Sequence, residues 1–167
     1  DFAIVFLCNV SDFKNQYASI LIYNYHLGLW NVNAKDLYEV AKTNSPALLH
    51  PRLDNLHDVF EYITNESLDF LEELNISILT NHLKIFGATC MIYPGLLEEI
   101  SDIYDDDIII IPSSVHEVLV FPQKNLPSSY SLSDLNLMVE EVNDTQLMDM
   151  DVLSNHVYLY HRDTKEI

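Results

Sequence analysis

The sequence predicts an α+β fold: a mostly antiparallel β-sheet covered by helices, forming a single domain over residues 1–167. Three observations predict it. Apolar runs of strand length come in pairs, as hairpins do. Amphipathic stretches at helical spacing separate those pairs. A chain of 167 residues, 49% of them hydrophobic, is long and apolar enough to bury a core without disulfide or metal staples.

Taken in order, residues 3–10 and 19–25 are rich in Ile, Val, Phe and Tyr and read as strands, with the polar residues 11–16 as their hairpin loop. Residues 26–30 form a turn leading to Asn33, a good N-cap with Asp36 three residues on. Leu37, Val40 and Ala41 continue as a core-facing stripe, and Ser45-Pro46 is expected to stop that helix. Residues 53–63 predict a second helix with Leu56, Val59, Phe60 and Ile63 on one side, while residues 65–75 suit helix or loop equally. This helical block, 34–75, is a potential insertion, although no linker composition marks its edges.

Residues 76–80 and 85–93 are expected to pair antiparallel around 81–84. Pro94-Gly95 opens a helix that turns Leu96, Leu97, Ile100 and Tyr104 inward and ends near Asp105-Asp106-Asp107. Residues 108–111 are continuously apolar, as in a strand covered on both faces. Pro112, Ser113 and Ser114 form a turn into a strand at 115–121, with Glu117, Leu119 and Phe121 on one face and His116, Val118 and Val120 on the other. These two strands are expected to be antiparallel neighbours in the sheet interior. His116 then lies near the end of the sheet, where a ring nitrogen reaches a backbone group or water. After a Pro- and Ser-rich loop at 122–131, Ser133 is expected to cap a last helix carrying Leu135, Met138, Val139 and Val142. Residues 157–160 make a short closing strand, and Arg162-Asp163 begins a turn.

Charge is unevenly placed. The chain has 8 basic and 26 acidic residues, net −18, and residues 53–161 hold 20 of the acidic side chains against Lys84 and Lys124 alone. Phosphate contacts need clustered Lys and Arg, so direct nucleic-acid binding is not expected. The longest apolar run, residues 2–8, is far too short to cross a bilayer. Cys8 and Cys90 both fall in apolar runs and read as buried free thiols, which places the domain in the cytoplasm. The chain opens inside a strand without Met, and is expected to be the C-terminal part of a longer protein.

Few residues carry chemistry. Three glycines cannot supply a phosphate-cradling loop. His116-Glu117 lacks the second His of a zinc-protease motif, since position 120 is Val120, and the seven histidines show no i, i+2 or i+4 pair. No metal or other cofactor is therefore expected. The aspartate triple lacks the spaced oxygens and Gly of a calcium loop. Ser113, Ser114, His116 and Glu117 are the candidate catalytic group, although no Gly-x-Ser-x-Gly elbow is present. The plainer reading of these residues is a polar cluster that satisfies turn amides. Asn81, Tyr93 and Trp30 are candidate binding residues, Trp30 with Tyr23 and Tyr25 making either a core edge or a protein contact.

Several stretches resemble one family. They are residues 1–10 and 20–30 with Leu37-Tyr38 and Ala41; Ile78-Leu79-Thr80-Asn81, Gly87-Ala88 and Met91-Ile92-Tyr93-Pro94; Ile110-Ile111-Pro112-Ser113-Ser114-Val115-His116-Glu117; and Met138-Val139, Val142-Asn143, Thr145-Gln146, Leu153-Ser154 and Val157-Tyr158-Leu159-Tyr160. The chain resembles the bacterial domain of unknown function 5688 over nearly its whole length. The resemblance implies a bacterial cytoplasmic setting and lends no catalytic residue.

The absence of nucleotide, metal and nucleophile motifs favours a non-enzymatic protein-binding or regulatory module with a protein partner and no membrane. One alternative is a hydrolase-like enzyme at residues 112–117, lined by Tyr93 or Asn81. Another is an acidic nucleic-acid mimic.

Overall fold

The computed structural model describes residues 2–10, 18–64 and 69–167; the loop expected at 11–16 lies outside them. The fold is α+β, and the chain divides into two compact units, Asp1–Leu48 and Leu49–Ile167.

In the first unit, β1 (Leu7–Asn9) and β2 (Ser19–Leu21) pair antiparallel with Leu7 opposite Leu21. The strands are shorter than the composition suggests. Tyr23 and Tyr25 are not in a strand, because Asn24 begins α1 (Asn24–Trp30), whose entry is fixed by the Tyr23 N–H donating to Nδ1 of His26 at 2.9 Å. Asn31 ends α1 in the left-handed conformation, φ 53°. α2 (Ala34–Leu48) starts as expected: Asn33 Oδ1 accepts from the N–H groups of Lys35 and Asp36, and the Asp36 carboxylate accepts from the Asn33 N–H. Pro46 does not stop this helix. It removes one bond of the ladder in the last turn, and the helix runs two residues beyond it. Among the described residues of this unit none is buried. Cys8, expected inside, is exposed.

The second unit runs β3 (Pro51–Asn55), α3 (Leu56–Thr64), α4 (Asp69–Leu74), β4 (Ser77–Asn81), α5 (Leu96–Tyr104), β5 (Ile108–Ser114), β6 (Glu117–Pro122), α6 (Leu132–Gln146) and β7 (Tyr158–Tyr160). The five strands form an antiparallel sheet in the order β3-β4-β6-β5-β7, so β5 and β6 are interior neighbours. Alternation along them separates two cores. Ile108, Ile110, Val118 and Val120 face Leu97, Ile100 and Tyr104 of α5. Ile109 and Phe121 face the other way, with Leu56 and Phe60 of α3 and Leu132 and Leu135 of α6. Burying each such side chain stabilises the fold by about 1.5–3 kcal/mol.

Three further expectations are corrected in this unit. Residues 53–55, expected to open the second helix, belong with Pro51 and Arg52 to edge strand β3, and α3 begins only at Leu56, where Asn55 Oδ1 accepts from the His57 N–H. Residues 85–93 are not a strand: Gly87–Ile92 is a 3-10 helix, and β4 pairs with β3 and β6 instead. The extended path is broken at Phe86, held at φ 52°. The cap of α6 is Ser131, not Ser133; its hydroxyl accepts from the Asp134 N–H while the Asp134 carboxylate accepts from the Ser131 N–H.

Acidic groups tie the end of the chain to α5 and β5. Asp107 accepts from the Arg162 N–H and bonds His161 Nδ1, both at 2.9 Å, and these contacts hold its carboxyl below the usual range, the Arg162 bond most of all. Arg162 also pairs with Asp102 and Asp105, and Lys165 with Glu98. Lys124 Nζ donates to the Tyr104 carbonyl at the C-terminus of α5, where a cation is favoured. Among the described residues, no helix is long and apolar enough to cross a membrane.

Candidate functional site

β5 and β6 are joined by Val115 and His116, with Ser114 opposite Glu117. The strand therefore runs through Pro112, Ser113 and Ser114, and the turn comes later than their composition suggests. An irregularity between Pro112 and Ser114 takes Ser113 out of the ladder. Ser114 Oγ accepts from the His116 N–H at 3.0 Å, closing the turn.

His116 joins this turn to the segment after β4. Its carbonyl accepts from the fully buried Thr80 hydroxyl at 2.8 Å. Its Nδ1 accepts from the Phe86 N–H at 3.1 Å, which places the ring proton of the neutral imidazole on Nε2, and Nε2 lies 3.5 Å from Asp151 Oδ1. The ring stacks on Phe86 with centroids 5.6 Å apart. The Val115 N–H donates to the Asp151 carbonyl, so the chain after α6 is fixed to the same turn. Space here is minimal: a Cβ on Gly87 would stand 2.1 Å from Thr80 Oγ1 and 2.4 Å from the His116 carbonyl. Only glycine fits beneath this turn.

The remaining candidates of the second unit are Glu117, Asn81 and Tyr93. Glu117 is half-buried at the start of β6. Asn81 is fully buried and organises the turn after β4: Oδ1 accepts from the Leu83 and Ile85 N–H groups, and Nδ2 donates to the Ile85 carbonyl. Tyr93 is buried and donates its hydroxyl to the Leu49 carbonyl at 3.1 Å. Cys90 is buried as expected; its thiol donates to the Thr80 carbonyl, and burial pushes it up to about 11, leaving it unreactive. Trp30 belongs to the first unit. There it continues a row of rings in which Tyr23–Tyr25, Tyr25–His26 and His26–Trp30 centroids lie 6.0, 3.9 and 5.4 Å apart.

Thus Ser114 and His116 are brought together through the backbone, with no hydrogen bond between a serine hydroxyl and the His116 ring among the described residues. Thr80, Phe86, Gly87 and Asp151 are not among the candidate site residues of the sequence reading. They lie about 30 or more positions away from His116 along the chain, with no local spacing to reveal them. Among the described residues, no three His, Cys, Asp or Glu side chains are grouped to hold a metal ion.

Neither the curated proteins nor the solved structures give a match to this chain. The family of unknown function DUF5688 matches residues 1–162 of the 167, including both units and the turn around His116. The chain belongs to the DUF5688 family.

Proposed function

We propose that this domain is a non-enzymatic protein-binding module of the cytoplasm, with the aromatic row of the first unit as its contact surface. The observation that carries the reading is the exposure of that row: Tyr23, Tyr25 and Trp30 are 55%, 64% and 49% exposed, and Leu29 beside them is 76% exposed. Aromatic side chains on a folded support are the usual anchors of protein interfaces, because they bury much area and lose little conformational freedom. The unit holding them is nearly neutral, with four acidic and three basic residues. Recognition by apolar burial should therefore survive high salt.

The hydrolase reading has one observation in its favour, the Asp151 carboxylate beside His116. It requires a ring nitrogen free for a serine, whereas Nδ1 is taken by the Phe86 N–H and Nε2 faces Asp151. The mimic reading requires a bare acidic stripe, whereas Glu98, Asp102, Asp105 and Asp107 are paired with the closing turn.

Cross-linked capture from cell extract, compared between the natural protein and a Tyr25→Ser/Trp30→Ser variant, tests the proposal. Partners should be retained by the first at high salt and lost by the second, with the melting temperature unchanged. Identical capture by both proteins, or turnover in a broad substrate screen abolished by His116→Ala, would contradict it.

A further inference from the structure

A wide-mouthed surface pocket of about 500 Å³ lies in the second unit among the 3-10 helix Gly87–Ile92, the start of α5, β7 and the closing turn. That volume suits a small organic molecule. Its lining includes apolar Met91, Ile92 and Leu97 and polar Glu98, Tyr160 and Lys165.

Tyr160 is the informative residue. It is only 5% exposed, yet its hydroxyl makes no hydrogen bond among the described residues. A phenol without a protein partner has its hydroxyl available to a ligand. No buried side-chain oxygen or nitrogen among the described residues lacks a partner, so this hydroxyl opens onto the cavity rather than being sealed in the core.

The charge around it has a sign. Glu98 and Glu166 line the cavity against the single cation Lys165. Burial pushes the Tyr160 phenol above its ordinary value, and the Glu98 carboxylate adds to this. A negative cavity favours a cation. Lys165 itself illustrates the fit. It reaches Glu98 from a backbone held at φ 59°, a conformation that non-glycine residues adopt at a cost, and it presents an ammonium on a four-carbon stem.

We propose that this cavity binds a small organic cation, an ammonium or guanidinium on an apolar stem. The Tyr160 hydroxyl and the Glu98 carboxylate accept from its N–H groups, and Met91 and Leu97 receive the stem. Lys165 is the intramolecular competitor for Glu98. The proposal stands independently of the protein-binding reading, since it uses no residue of the first unit.

Titration of the full chain with hexylamine, with hexanol and hexanoate as neutral and anionic controls, tests it by calorimetry and methyl NMR. Hexylamine should saturate with a dissociation constant of about 1 mM and shift the Met91 and Leu97 methyl signals. Tyr160→Phe should weaken it about tenfold, the loss of a hydrogen bond to a charged group, without lowering the melting temperature. Glu98→Gln should weaken hexylamine while leaving hexanol unchanged, and Lys165→Ala should tighten hexylamine. Hexanoate binding as well as hexylamine, no saturation, shifts away from Met91 and Leu97, or unaltered affinity in both Tyr160→Phe and Glu98→Gln would overturn the proposal.

Discussion

The two units of this chain are built on opposite terms. Leu49–Ile167 holds 22 of the 26 acidic residues and five of the eight basic ones, a net −17, yet it contains every residue that is buried among those described. Asp1–Leu48 is nearly neutral and buries none of its described residues, while placing Tyr23, Tyr25, Leu29 and Trp30 at the surface. One unit puts its apolar side chains on two faces of a sheet and its charge outside. The other relies on caps, a short ladder and two helices, with its described apolar side chains half-buried or exposed. Charge repulsion is therefore carried where a core offsets it, and the exposed aromatic row stands where no described residue is fully buried.

Substitutions can break this contrast. The largest loss should come from Ile109→Ala, which empties a fully buried position between α3, α6 and the sheet; denaturant titration should show about 4 kcal/mol. Next are two glycines that ought to respond with opposite signs. Gly87→Ala drives a Cβ into Thr80 and the His116 carbonyl and should cost about 3 kcal/mol. Gly28→Ala meets nothing within 4 Å inside α1 and should raise stability by about 0.5–1 kcal/mol. Equal effects at both would mean that the first unit is packed as tightly as the second.

His116→Ala removes the acceptor of the Phe86 N–H and the ring stacked on Phe86. The ring is partly exposed, so water replaces some of what is lost and the cost should be about 1 kcal/mol. Partner capture by the aromatic row should be unaffected. The smallest effect belongs to Asp107, whose folded value is below its ordinary 3.8. A depressed carboxylate contributes stability that is fully present above the unfolded value and is lost as pH falls through the folded one. The melting difference between the natural protein and Asp107→Asn should accordingly be present at neutral pH and close in acid below 3.8. A difference that widens in acid would show that Asp107 is not held as its carboxylate.

The sequence was most legible where local pattern and burial agree. The alternation from Val118 to Phe121 gives the two faces of β6, Pro94-Gly95 marks the start of α5, and Asn33 with Asp36 marks that of α2. It was misleading at 85–93, where Ile85, Phe86, Met91 and Ile92 have strand composition. The deciding contacts there are non-local, Gly87 beneath Thr80 and His116 and the Phe86 N–H on the imidazole. β3 escaped notice because Pro51, Arg52, Asp54 and Asn55 are poor strand formers that an edge position beside β4 tolerates. In the candidate site, the nearness of Ser114 and His116 could be read from two positions' spacing. The partners that fix the imidazole, Phe86 and Asp151, could not, because the fold alone brings them there.

Native-state amide hydrogen exchange on the whole chain tests the central contrast most directly. Amides of β5 and β6 should exchange only through global unfolding, while those of α1, α2 and the β1–β2 ladder exchange through local opening at far lower free energy. Protection across Asp1–Leu48 equal to that of residues 108–122 would contradict the account, because it would show that the exposed aromatic row belongs to a unit stabilised as strongly as the sheet.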